Sequence, residues 1–429
     1  MRSSPASASA SDPAAAAAPA AGTAVPGARA ALLVLLSINL LNYLDRQVLY
    51  ALLPLIQIEF GATDTQLGAL ASAFMLVYMC AAPPIGYLAD RSSRTRWIAF
   101  GVGAWSLATV FSGLARSYGQ LLAARAAVGI GESCYGSVSP SFVAEHFPKE
   151  RRAGVLALFS MAIPVGSALG YIAGGLLGRE LGWRSAFYLA GLPGLLLALL
   201  ALRLRDPGTR ERSGRPQAPR LSEYAGLRRN RSLVCCTLAM AAMTFGMGAM
   251  AVWMPTFYHR VWGLDVGKAG TLFGAVTVLS GLVGSLAGGW LADRLLRVHP
   301  AAYFLLSGAG LLAAVPFGAA AVLAGSFPVA LGALFMAETC AFLNMGPLNA
   351  VIVAVTPPRV RSMAFAANIF LIHALGDAVS PTLVGRVSDA WSLRAGLLLA
   401  MATLGLAGAF SLWGARYYRD DAALTEAHA

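Results

Sequence analysis

Gly86-Tyr87-Leu88-Ala89-Asp90-Arg91-Ser92-Ser93-Arg94 recurs 203 residues later as Gly289-Trp290-Leu291-Ala292-Asp293-Arg294-Leu295-Leu296-Arg297. Each copy closes the second long apolar stretch of its half of the chain with one acid and two arginines. A fainter echo, Glu132-Ser133-Cys134 against Glu338-Thr339-Cys340, keeps nearly the same offset, 206 residues. A chain that repeats itself in one direction at this distance is two copies of one unit. In a membrane, such parallel repeats are related by an axis along the membrane normal, and a binding site lies between them.

Composition says what surrounds the two units. Of 429 residues, 57% are hydrophobic and 12% charged, with a mean hydropathy of +0.65. Soluble domains carry about 25% charged residues, so this chain is solvated mostly by lipid. Twelve apolar spans are expected, at 31–53, 65–88, 97–114, 119–141, 153–178, 185–203, 232–258, 267–290, 301–324, 328–355, 362–387 and 394–417. Each is long enough for a hydrocarbon core of about 30 Å at 1.5 Å per residue. The fold is therefore read as an all-α membrane protein, with twelve transmembrane helices in two six-helix pseudo-symmetric bundles. Its parts read as a disordered Ala/Ser/Pro tail at 1–28, bundles at 29–203 and 232–417, a basic linker at 204–231 and a short tail at 418–429.

The net charge of +12 sits almost wholly in the connections between spans, which speaks for a membrane surface and against nucleic acid. With these spans, 23 of the 32 Lys and Arg fall on the side of the two termini and seven on the other, leaving Arg46 and Arg125 within the membrane. The positive-inside rule then makes both termini cytoplasmic, in a multi-pass protein of the cell's inner membrane. The five cysteines lie inside apolar spans with no histidine at ligand spacing, so neither a disulfide framework nor a metal site is expected. No phosphate-cradling loop or nucleophile motif is present to suggest an enzyme, and no cofactor is implied.

Ionised side chains in mid-bilayer cost about 2.5–3.5 kcal/mol each on insertion scales, so those that persist mark a pathway or a relay unless they only pin helix packing. Asn42-Tyr43-Leu44-Asp45-Arg46 puts two of them inside the first span. Neighbours on a helix point about 100° apart, so Asp45 and Arg46 each need a partner from elsewhere. Glu132, among Gly129, Gly131 and Gly136 on span four, is read with Asp45 as a proton-binding pair, and Arg46 as the partner that switches between them. Arg125, seven residues before Glu132, either holds an anionic headgroup or snorkels to the interface. Asn42, Tyr43 and Glu338 join it as substrate-contact candidates. Glu338 is equally served by a hydrogen bond to Asn344 or to backbone. His373 and Asp377, four apart, make a second-half relay, a substrate contact or a packing pair. Trp253 and Phe257 belong to an aromatic and methionine stripe that lines an acyl groove or packs helices.

Gly-x-Leu-Ala-Asp-Arg-x-x-Arg between spans two and three resembles the signature loop of the major facilitator superfamily. That resemblance implies that Asp90 caps a helix of the other half, and that Arg91 and Arg94 pair across a cytoplasmic gate, with Asp293, Arg294 and Arg297 as their repeat counterparts. Elementary electrostatics agrees for Asp90: a carboxylate is favoured at a helix N-terminus, and span eleven begins after Pro357-Pro358. Four further stretches look like the Spinster family: Asn42 to Arg46, Arg125 to Tyr135, Ala162-Ile163-Pro164-Val165-Gly166-Ser167 to Tyr171, and His373 to Pro381. The last two are the more specific.

Spinster proteins are lipid carriers, and in several members transport is proton-linked. The resemblance therefore implies a monomeric, proton-coupled secondary transporter that works by alternating access on an amphiphilic lipid such as a lysophospholipid or a sphingolipid-like molecule. A proton-coupled carrier of small organic anions such as sugar acids, held by Arg46 and Arg125, is the alternative within the class. A non-transporting membrane receptor is the alternative outside it, disfavoured by so many charges kept within the membrane.

Overall fold

The computed structural model describes residues 27–89, 91–204, 206 and 227–427. The expected disordered tail, most of the basic linker and Asp90 lie outside these. The first half comprises α1 (Ala28–Phe60), α2 (Asp64–Ala89), α3 (Arg94–Leu114), α4 (Tyr118–Gly136), α5 (Ser139–Glu145), α6 (Lys149–Ser160), α7 (Ala162–Leu181) and α8 (Trp183–Leu202). The second comprises α9 (Arg231–Trp262), α10 (Val266–Leu296), α11 (Ala302–Leu323), α12 (Phe327–Phe342), α13 (Pro347–Val355), α14 (Pro358–Leu375), α15 (Ser380–Ala390) and α16 (Leu393–Gly414). The stretch read as a closing tail carries a further helix, α17 (Tyr418–Ala427), docked on the second half: Asp421 accepts the Ser232 N–H at 2.8 Å.

Among the described residues, eleven stretches are long and apolar enough to cross a membrane. The twelfth is α4 with α5, the span that carries Arg125 and Glu132. Four expected spans are interrupted rather than continuous: the fourth at 137–138, the fifth at Met161, the tenth at 343–346 and the eleventh at 376–379. In each, a proline follows within three residues (Pro140, Pro164, Pro347 and Pro381). Proline cannot donate its N–H and disfavours the helical conformation in the residue before it. The breaks come in repeat-related pairs, four with ten and five with eleven, as duplication requires.

Helices approach closely where glycine removes the side chain. On α7, a Cβ on Gly170 would run into the Leu44 carbonyl of α1, which holds α1 and α7 almost backbone to backbone. The two halves meet along α2 with α15, α7 with α10, and α1 with α9. At the end bearing the 61–63 and 263–265 connections they are clasped shut. Arg260 of α9 donates to both Asp64 oxygens, at 2.7 and 2.6 Å, and Ser388 adds a third bond at 2.5 Å. In return Asp389 of α15 accepts the N–H groups of Asp64 and Thr65, each at 2.8 Å, and so caps α2 from the opposite half. Arg179 and Asp265 bridge the other seam at 3.4 Å.

Candidate functional site

Asp45 and Arg46 are placed by α1, and their 100° separation sends them to different partners on α4. The Asp45 carboxylate is fully buried; Arg125 donates to one oxygen at 3.2 Å and Thr109 to the other at 2.6 Å. Arg125 is equally buried, which corrects both sequence readings of it: it neither snorkels nor faces a headgroup, but neutralises Asp45. Arg46 is therefore not shared between Asp45 and Glu132. It belongs to Glu132 alone, through a 2.7 Å bond from its Nε to Oε2.

The second pair is built differently from the first. Glu132 is fully buried, yet its Oε1 has no hydrogen-bond partner. Arg46 keeps 17% of its side chain exposed and lies among three rings, with Cζ 5.2, 4.9 and 5.3 Å from the centroids of Tyr43, Phe74 and Tyr78. Aromatic faces attract a desolvated cation without supplying the hydrogen bonds an anion would. Phe74 also faces Arg125 at 5.7 Å, so one ring separates the two arginines. Asn42, a substrate candidate, is buried with its amide nitrogen unpartnered, while Tyr43 serves the Arg46 cage.

Beside the cage, a cavity of about 400 Å³ separates the halves, with Tyr78, Met79 and Gly136 on one wall and Phe370 and His373 on the other. His373 Nδ1 pairs with the Asp377 carboxyl across 2.9 Å, where α14 gives way to the 376–379 break. These two therefore meet as their spacing predicts, with His373 at the cavity and Asp377 behind it.

The remaining second-half candidates behave otherwise. Glu338 is buried with Thr277 at 3.2 Å and Ser280 at 2.8 Å; Asn344 is not its partner but bonds to the Ala341 carbonyl. Trp253 and Phe257 are fully buried, and the Trp253 indole donates to the Pro381 carbonyl at 3.0 Å. They are packing residues of the second half, not the walls of a groove.

Of the gate residues, Arg94 pairs within its own half and the linker, to Glu145 and Asp206, each at 2.6 Å, and not across the halves. Arg91 stacks on Tyr87 at 3.5 Å and Arg294 on Trp290 at 4.2 Å, while Asp293 and Arg297 are exposed. The sequence reading missed the residues that do join the halves, Asp64, Arg260 and Asp389. Each lies in the first or last turns of a helix, where a charge is ordinary. The signal available was that all three fall at the same end of their spans. It also missed Thr109, Phe74 and Tyr78, uncharged residues that declare themselves only through what they touch. The five cysteines are free.

Two six-helix repeats around a cleft, with charges paired inside the membrane, define a class, and residues 35–381 match the Major Facilitator Superfamily, to which this chain belongs. Within it, the chain is 34% identical to the mouse protein spinster homolog 1 over 92% of its own length and 82% of that protein's. It is 35% identical to protein spinster of Drosophila melanogaster, covering 83% of this chain but 61% of the fly protein. It is also 32% identical to the mouse sphingosine-1-phosphate transporter, covering 90% of this chain and 77% of that one. A crystal structure of a bacterial homolog of the human lysosomal transporter Spinster, inward-facing and unoccupied, superposes with a TM-score of 0.85 at 26% identity, over 93% of this chain and 99% of that one. The chain is a member of the Spinster family of transporters, and it is not an enzyme.

Proposed function

We propose that this protein is a proton-coupled carrier of an amphiphilic lipid with an anionic head, of the lysophospholipid or sphingolipid-like kind, working by alternating access in the inner membrane. The observation that carries the reading is the half-made pair at the cavity: Glu132 holds Arg46 through a single bond, with its second oxygen bare. An anion arriving from the cavity competes with Glu132 for the Arg46 guanidinium. A buried carboxylate deprived of its cation is stable only in its protonated form, because the charged form has lost both water and counter-ion. Anion binding at Arg46 and proton binding at Glu132 are thereby linked, and by reciprocity each strengthens the other.

The state supports the same cycle. The halves are clasped at the end away from the arginine-rich loops, and similarity to an inward-facing homolog agrees with a cleft open to the other side. The sequence assigns 23 basic residues to that side, which supports reading it as the cytoplasmic one. The mouse relative's name supplies the lipid class.

The test is uptake into proteoliposomes under an imposed pH gradient, with lysophospholipids, sphingosine phosphate and sugar acids compared side by side. Lysolipid movement that follows the gradient, and its loss in Glu132→Gln with the protein still folded, is the expected result. Gradient-driven uptake of sugar acids alone would reject the lipid, and unchanged coupling in Glu132→Gln would reject the proton site.

A further inference from the structure

We infer that the seam between α2 and α14 is a lateral portal in which the hydrocarbon tail of a single-chain amphiphile lies, its head drawn to the Arg46 cage. The inference rests on the lipid-carrier reading above and adds where the lipid sits and which way it points.

Followed from the clasped end, the seam changes character at the 376–379 break. Above the break α2 meets α15 without a gap. A Cβ on Gly68 would collide with the Pro381 carbonyl, one on Gly385 with the Asp64 carbonyl, and Thr382 donates to Ser72 at 2.7 Å. Below it, α14 stands off from α2, and the cavity of about 400 Å³ opens between Met79 and Ala82 on one side and Ile369 and Phe370 on the other. Ile369 is 51% and Phe370 47% exposed.

The cavity has its ring nitrogen and phenol at one end, and its one other polar side chain, Ser137, is turned to the Ala82 and Ser133 carbonyls. Tyr78 and His373 close it near the middle of the membrane, with the Arg46 guanidinium on the Tyr78 ring and Asp377 on the imidazole. Towards the arginine-rich end its walls are aliphatic and aromatic. A molecule with a charged head and an apolar body fits that gradient in one orientation, head at mid-membrane and tail towards the inner leaflet. The volume lies at the lower end of the range for small-ligand sites, roughly 300–1,000 Å³, which suits one chain rather than two.

Both walls can also bend. Pro83-Pro84 withholds two N–H groups from α2 at the level of Ile369 and Phe370, which frees the carbonyls of Met79 and Cys80, and the α14–α15 break interrupts the other wall nearer the clasp. A seam bounded by two such interruptions can part below them while the clasp above stays closed.

Full-length protein in lipid nanodiscs is labelled with two photoreactive lysophosphatidic acids, one carrying the diazirine at the tail terminus and one beside the head. The tail probe is expected on peptides containing Met79 to Pro83 and Ala366 to Phe370, and the head probe near Tyr78 or His373. In parallel, Ala366→Trp, which fills the seam, is expected to lower uptake of a long-chain lysolipid roughly ten-fold while sparing a short-chain one. Leu199→Trp on the outer face of α8 should spare both. Tail labelling between α7 and α10, or equal loss for both chain lengths, overturns the portal while leaving the carrier reading intact. A wild-type protein that moves no lysolipid at all brings down both.

Discussion

Asp45 and Arg46 are adjacent in sequence and opposite in fate. Asp45 is sealed: both oxygens are satisfied, by Arg125 and Thr109, and its partner is as deeply buried as it is. Arg46 keeps 17% of its side chain exposed, lies against Tyr78 of the cavity wall, and holds its carboxylate by one bond. A pair in which both carboxylate oxygens are bonded resists rearrangement, even though Arg125 Nε has no partner, whereas a pair with one oxygen bare beside a cleft can exchange partners. The contrast is what our proposal rests on: the first pair ties α1, α3 and α4 together, and the second is the one proposed to exchange partners in transport.

The sharpest way to break the contrast is Asp45→Asn. It strands the Arg125 charge in the membrane interior and should cost about 3–5 kcal/mol, seen as a lower melting temperature and poor recovery of folded protein. Removing Arg125 as well, with Arg125→Gln, should restore much of the loss. Glu132→Gln is expected to lower stability far less, because Arg46 keeps its three ring contacts and its partial exposure. A variant at Asp45 that folds as well as wild type and loses only proton coupling would show that the two pairs have been told apart wrongly.

The next effect concerns the clasp, and here the measurable quantity is a population. Asp389→Ala removes the acceptor of the Asp64 and Thr65 N–H groups and uncaps α2. Loss of a cap costs about 1–2 kcal/mol, which in a two-state carrier shifts the balance towards the opposite-facing state roughly five- to thirty-fold. Cys80 offers a native reporter, being exposed on α2 between Met79 and Ala82 of the cavity wall, while Cys134, Cys235 and Cys236 are buried and Cys340 is half-buried. Its maleimide labelling should slow in Asp389→Ala. Labelling at the wild-type rate would mean that the capping bond does not hold the closed end together.

The same comparison explains what could be read without coordinates. Twelve spans and their duplication follow from hydropathy and a repeated loop, since length and polarity are one-dimensional quantities. So do the charged positions, because a charge inside an apolar run has no ordinary reason to be there. Pairings do not follow. Which of Glu132 and Arg125 meets Asp45 depends on how α1 is rotated against α4, and a rotation of 100° exchanges the answers. Trp253 and Phe257 misled because burial in protein and burial in a substrate groove look alike in sequence. The clasp was hidden for the reverse reason: Asp64, Arg260 and Asp389 lie where charge is expected, and only the contact between halves gives them a function. The span breaks were legible in principle from Pro140, Pro164, Pro347 and Pro381, yet proline is tolerated inside several other spans here, including at Pro54 and Pro255. Position alone does not tell a kink from a stop.

The smallest expected effect lies at the second closed seam, where Asp265 has two tasks. It caps α10 by accepting the Lys268 N–H at 3.0 Å, and it reaches Arg179 of the other half at 3.4 Å. The Lys268 bond, with the neighbouring positive charges adding to it, holds the Asp265 carboxyl below the ordinary aspartate range. A depressed value means that the carboxylate's contribution is present above the unfolded-state pKa and is lost as pH falls through the folded one. Asp265→Asn keeps the cap, since Asn serves there as well as Asp, and removes only the attraction to Arg179. That attraction is solvent-screened, so the change in Cys80 labelling should be the smallest of the set and should fade as salt is raised. Asp265→Ala loses the cap as well and should cost about 1 kcal/mol. If Asn proved as costly as Ala, the charge rather than the cap would hold this seam, and the α7–α10 contact would have to be counted with the α2–α15 clasp as a working part of the closed end.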